Sequence, residues 1–107
     1  MPEEISSKRL WKNCWRWKMN EAIIFQRRGW DDYIFWQAQD KKTLKKVNLL
    51  IQDIARNHYV GIGKPEPLSG NRAGFWSRHI DNTNRLVYRI RDGRIEIVQC
   101  KGHYDDR

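Results

Sequence analysis

The chain has 107 residues, which sets the scale of one domain with a modest core. Its formal charge of +8 and pI near 9.8 point to a polyanionic partner, nucleic acid ahead of a membrane surface. The absence of any long apolar run excludes a transmembrane segment, and two cysteines, Cys14 and Cys100, make neither a disulfide framework nor a metal spacing.

Residues 1–18 differ from the rest. Trp11, Trp15 and Trp17 alternate with Lys8, Arg9, Lys12, Arg16 and Lys18, and no apolar signal core is present. This stretch reads as an appended or misassigned basic leader in preference to a functional RNA- or membrane-contacting arm, with Met19 as an internal start and residues 19–107 as the domain proper. The remainder stays basic without it. Together with the cysteine usage, this points to the cytoplasm.

Ala22-Ile23-Ile24-Phe25 reads as a short strand. Trp30, Tyr33, Ile34 and Ala38 recur at spacings of three and four, predicting a helix around Arg28–Gln39. Asp40 is an N-cap candidate for a second helix from Lys41 to about Asn57. There Leu44, Val47, Ile51, Ile54 and Ala55 form the inner face. Lys41, Lys42, Lys45, Lys46 and Arg56 fall largely outside, where a solvated face is the simplest account and a polyanion contact the sharper one.

Gly61-Ile62-Gly63-Lys64-Pro65-Glu66-Pro67-Leu68 divides this helical half from a strand-rich half. Each proline fixes its own φ and biases the preceding residue towards extended backbone, so Glu66 is held stiffly between the two. Three strands follow, Phe75–Asp81, Arg85–Arg91 and Arg94–Cys100. Asp92-Gly93 marks a hairpin, because both central residues of a type I′ turn need positive φ. Alternation puts Leu86, Tyr88 and Ile90 on one face and Arg85, Val87, Arg89 and Arg91 on the other. The expected architecture is α+β: a four-stranded antiparallel sheet in β-α-α-β-β-β order, two helices on one face and a basic face open.

Few residues offer chemistry. His58, His79 and His103 are widely spaced, Asp31-Asp32 and Asp105-Asp106 do not resemble a ligand set, and no metal or other cofactor is expected. Gly63-Lys64 is not a phosphate-binding P-loop, because Pro65 stands where Ser or Thr would hold magnesium. Cys100, inside a strand, reads as core. Glu66, Arg78, Arg85, His103 and Tyr104 remain. A carboxylate, an imidazole and guanidinium groups suffice to cleave RNA: one group takes the 2′-hydroxyl proton, arginine stabilises phosphate charge, and an acid protonates the leaving oxygen. A surface loop at Glu66 and a frayed terminus at His103-Tyr104 are the plain alternatives.

The chain resembles the YoeB/Txe toxins of bacterial toxin–antitoxin systems, within the RelE/ParE superfamily. The resemblance rests on Trp30-Asp31-Asp32-Tyr33, Trp36, Asp40-Lys41, Lys45-Lys46-Val47-Asn48, Leu50-Ile51 and Gly63-Lys64-Pro65-Glu66-Pro67-Leu68. It continues through Gly74-Phe75-Trp76-Ser77-Arg78, Arg85-Leu86-Val87-Tyr88, and Cys100 with His103-Tyr104. It implies an endoribonuclease that enters the ribosomal A site and cuts mRNA there, neutralised by a cognate acidic antitoxin, with a tendency to form homodimers. Carried over, Glu66 is the general base, Arg85 the phosphate stabiliser, His103 the general acid, and Tyr104 orients or stacks on the RNA. Lys64, Arg78, His79 and Arg89, with Lys45 and Lys46, complete the expected RNA-contacting set.

Some positions depart from the family pattern. His79 stands where a second arginine is common, Ser69 replaces a usual lysine, Asn84 a usual histidine, and Gly102 a bulkier residue. The family typically stops at the tyrosine, whereas Asp105-Asp106-Arg107 follows here. These departures motivate a second reading, a member that binds RNA, ribosome or antitoxin without cutting. A gyrase-poisoning relative in the ParE branch is a third.

Overall fold

The computed structural model describes residues 22–103. The leader read over residues 1–18, its boundary at residue 19, and Tyr104 lie outside the described residues.

The elements run β1 (Ala22–Phe25), α1 (Arg27–Gln39), α2 (Lys41–Asn57), β2 (Glu66–Pro67), β3 (Trp76–His79), β4 (Arg85–Arg91) and β5 (Arg94–Gln99), with a 3-10 turn at Gly70–Arg72. One residue links the helices. The Asp40 N–H closes α1 on the Trp36 carbonyl at 2.9 Å, while its carboxylate accepts from the Thr43 N–H at 3.1 Å and opens α2. The cap read from sequence is therefore in place. Its carboxyl is held below its ordinary value, first by the Thr43 hydroxyl and then by the Thr43 N–H.

The sheet has five strands in the order β1-β5-β4-β3-β2. It is mixed, because β1 pairs parallel with β5 while the other pairings are antiparallel. The expected four-stranded antiparallel sheet is corrected on both counts. A two-residue strand with a proline has no alternation to betray it, and it is tolerated because it sits at an edge, where a missing N–H costs no ladder bond. The parallel pairing arises because both helices intervene between β1 and the hairpin strands, and such a crossover can return the chain in the same direction. Asp92 and Gly93 have φ of 54° and 72°, as the turn between β4 and β5 requires.

Both helices pack on one sheet face. Val47, Leu50, Ile51 and Ile54 from α2 meet Leu86, Tyr88, Ile95 and Ile97, with Trp36 closing the α1 side. At Gly29 the α1 backbone comes so close to β5 that a Cβ would lie 2.5 Å from the Ile97 carbonyl oxygen. Trp36 Nε1–H donates to the Cys100 carbonyl at 2.7 Å, and the Asp32 carboxylate accepts from the Cys100 N–H at 3.0 Å. Burial, then the Asp32 charge, pushes the Cys100 thiol up to about 12. It is a core residue.

The other face is less open and less basic than expected. Directly paired residues share a face, so the registers Glu66↔Ser77, Ser77↔Val87 and Val87↔Gln99 lay one row across four strands. Ser77, Val87 and Gln99 in that row are fully buried. Farther along, Arg89 and Arg91 both pair with Glu96, at 2.6 Å and 3.5 Å, which neutralises much of that end. Cationic character concentrates where β3 ends and β4 begins.

Candidate active site

The loop between α2 and β2 is shaped from beneath by Arg78. The residue belongs to β3, where alternation sends Ser77 and His79 to the open face and Arg78 to the helices. Its guanidinium is fully buried and donates to the carbonyls of His58 (3.0 Å), Val60 (2.8 Å) and Ile62 (3.0 Å), to the Tyr88 hydroxyl (3.3 Å), and to Asp53. Burial opposes ionisation of Asp53, but Arg78, the Ile62 N–H and the Asn57 amide outweigh it and hold the carboxyl below its usual range. Arg78 was expected to touch RNA; the structure corrects this. With no exposed surface it serves as the pin around which residues 58–63 are wrapped.

The glycines fit that pin. Gly61 has φ +123°, and a Cβ there would lie 2.0 Å from the Asp53 carboxylate; Gly63 has φ +80°, with Leu50 Cδ2 2.8 Å away. Only glycine combines these torsions with such approach. The Gly63 carbonyl then accepts the His79 N–H at 2.6 Å, tying the loop to the end of β3. Lys64 follows in left-handed backbone (φ 52°), and Glu66 pairs with Ser77 on the open face.

The C-terminal segment joins from the opposite side. The Arg85 N–H donates to the Gly102 carbonyl at 2.9 Å, and the Gly102 N–H donates to Asn84 Oδ1 at 2.8 Å. Asn84 is itself set by the turn that Asp81 gathers, its N–H reaching Asp81 Oδ1 at 2.7 Å. That same turn ends β3 at His79, two residues short of the expected boundary, because the Asp81 side chain competes for backbone donors. Arg85 lies opposite His79 in register, and its Nη1 is fixed by the carbonyls of Asp81 (2.7 Å) and Asn84 (3.1 Å).

His79 thus occupies the middle of the cluster. Burial lowers its pKa from the ordinary 6.5; the charges of Arg85, Lys64 and His103 lower it further, and Glu66 alone pulls it back up. Those four groups therefore lie within electrostatic reach of one imidazole. A carboxylate, a second imidazole, a guanidinium and an ammonium thus act on this imidazole through their charge.

Other expected contacts are placed elsewhere. Arg89 stacks over Phe75, 4.7 Å from the ring centroid, and is paired to Glu96. Lys45 and Lys46 are near the N-terminal end of α2, whereas the loop to Lys64 leaves from its C-terminal end; they do not join the cluster. Asp53, Asn84 and the Gly63 carbonyl are positioning groups that the sequence reading missed. Asn84 alone carried a signal, as the last residue of a turn-forming Asp81-Asn82-Thr83-Asn84 run. Among the described residues, no three His, Cys, Asp or Glu side chains are grouped to hold a metal, and no helix is long and apolar enough to cross a membrane.

Residues 25–104 match the family model described as the YoeB-like toxin of bacterial type II toxin–antitoxin systems. The chain belongs to this family. It is similar to Toxin YoeB of Streptomyces coelicolor, at 51% identity over 82 residues, covering 77% of this chain and 98% of that one. Among solved structures, the YoeB dimer from Staphylococcus aureus superposes with a TM-score of 0.74 at 45% identity, covering 78% of this chain and 98% of that one. A heterotetrameric YoeB-YefM toxin-antitoxin complex from the same organism superposes with a TM-score of 0.73, again at 45% identity and with the same coverage. The family resemblance read from the sequence therefore holds, and the mixed five-stranded sheet is an α+β fold of this class.

Proposed function

We propose that this chain is the toxin of a toxin–antitoxin pair and acts as a ribosome-dependent mRNA endonuclease. Glu66 takes the proton of the attacking 2′-hydroxyl, and O2′ attacks the adjacent phosphorus. Arg85 stabilises the charge that develops on the phosphoryl oxygens, and His103 protonates the departing O5′. The bond from phosphorus to O5′ breaks as that to O2′ forms. The products are a 2′,3′-cyclic phosphate and a free 5′-hydroxyl. Tyr104 is assigned to orient or stack on the RNA, and Lys64 to attract its backbone. Side chains alone carry each step.

What supports this reading is that Glu66, Arg85 and His103, from an edge strand, a central strand and the C-terminal segment, all lie within electrostatic reach of His79, with Arg85 opposite it in register. An acidic antitoxin is the expected inhibitor, laid over the same cations, so that antitoxin and RNA exclude one another. The YoeB-YefM complex and the YoeB dimer of S. aureus support an antitoxin partner and self-association. The test is induction without antitoxin, with primer extension on translated mRNA. Growth arrest with mapped cuts is expected, relieved by Glu66→Gln and by His103→Ala. Arrest that persists in both variants while they remain folded would replace cleavage with binding as the mechanism.

A further inference from the structure

We propose that His79, already among the expected RNA contacts, takes up a proton when an RNA phosphate docks beside Arg85. This rests on the reading of the site as an RNA site and names what that reading leaves undetermined: the role of the imidazole at its centre.

Geometry comes first. His79 is the last residue of β3, on the open face, directly opposite Arg85, with its N–H on the Gly63 carbonyl. The charged groups around it are Lys64 and Glu66 from the loop and β2, Arg85 from β4, and His103 from the C-terminal segment. Asp81, two residues on, is engaged by Thr83 and Asn84. A phosphodiester held by Arg85 therefore arrives next to the His79 imidazole.

The energetic consequence follows from the neighbours. In the free protein, partial burial and the surrounding cations disfavour the imidazolium of His79 and lower its pKa from the ordinary 6.5. An anion seated among Lys64, Arg85 and His79 offsets those cations and supplies an acceptor for a charged N–H donor. Protonation and phosphate binding then favour each other. By linkage, RNA affinity falls by up to about tenfold per pH unit as pH rises from the His79 pKa of the free protein to that of the complex. An arginine at this position would hold its charge throughout and show no such window.

The test uses the full chain and a 2′-O-methyl oligoribonucleotide, which has no free 2′-hydroxyl and so stays intact. Binding is followed by fluorescence anisotropy from pH 5.5 to 8.5 at low, fixed ionic strength, where phosphate contacts are least screened. His79 titration is followed by imidazole NMR with and without the oligonucleotide. The expected results are a His79 pKa below 6.5 in the free protein, raised by at least about one unit with RNA, and a matching loss of affinity as pH rises. His79→Arg should bind at pH 8 at least as tightly as the parent does at pH 6 and lose the pH-dependent part. His79→Gln should bind weakly and without that part, while His103→Gln keeps it. A pH dependence undiminished by His79→Arg, or a His79 titration unmoved by RNA, overturns this inference alone. An absence of binding at every pH removes the RNA reading and this inference together.

Discussion

Replacing Arg78 by methionine tests whether the loop carrying Glu66 is held from below. The substitution keeps the length and apolar stem of the side chain and removes its charge and donors. It leaves the Asp53 carboxylate, 18% exposed, without its main partner and strips donors from the His58, Val60 and Ile62 carbonyls. Removing one partner of a buried pair costs about 3–5 kcal/mol, because the survivor keeps its desolvation without compensation. Water reaches Asp53, which lowers its share; the carbonyls raise the total if the loop stays closed. In a domain of this size about 1 kcal/mol shifts the melting temperature by about 4–8 °C, so Arg78→Met should melt at least about 12 °C below the parent by circular dichroism. Adding Asp53→Asn removes the uncompensated charge and should recover at least about 1 kcal/mol relative to the simple sum of the two substitutions. A single variant that melts within about 3 °C of the parent, or a double variant whose losses merely add, would refute the anchoring argument.

The remaining expectations are smaller. Gly63→Ala places a methyl 2.8 Å from Leu50 Cδ2 at a φ of +80°, and it should cost about 1–3 kcal/mol in urea unfolding. Asp40→Ala removes the cap between the helices and should cost about 1 kcal/mol in the same assay. The folded-state pKa of Asp53 is depressed, so its stabilising contribution is present above the ordinary 3.8 and lost as pH falls through the lowered value. The stability of the parent should accordingly decline more steeply on acidification than that of Asp53→Asn. Cys100, whose thiol is pushed up to about 12, should resist alkylation at pH 8 until the protein unfolds, as read by mass mapping of its peptide.

How much of this was legible depended on how local each determinant is. The second helix was readable end to end because its apolar spacing, its cap at Asp40 and the glycines beyond it agree. The hairpin was readable from Asp92-Gly93, since its turn fixes the register of two adjacent strands. The parallel partner of β1 was not, because pairing across two helices leaves no trace in either segment. Arg78 and His79 show the same limit at single-residue scale. Both are polar neighbours in a short strand, and only the pairing Arg78↔Leu86 against His79↔Arg85 tells which faces the helices. Residue chemistry supplied the candidates Glu66, Arg85 and His103 and the resemblance their roles; the cross-strand register and the Gly102 hydrogen bonds, which order their segments, are tertiary facts.

That adjacency ties stability to chemistry in a specific way. Successive residues of β3 point to opposite sides of the sheet, so the strand that sends Arg78 down to grip the 58–63 loop also sends His79 up among Lys64, Glu66 and Arg85. The Gly63 carbonyl joins the two, lying one residue beyond the last carbonyl that Arg78 holds and accepting the His79 N–H. A displaced anchor must therefore move Lys64 and Glu66 relative to His79, whereas a substitution at His79 leaves the anchor intact, because its tie to Gly63 is made by backbone. The core side of the sheet can perturb the site, and the site's side chains can vary without cost to the core. A histidine at position 79 is compatible with the fold for that reason, and on the proposed function its consequences fall on phosphate recognition.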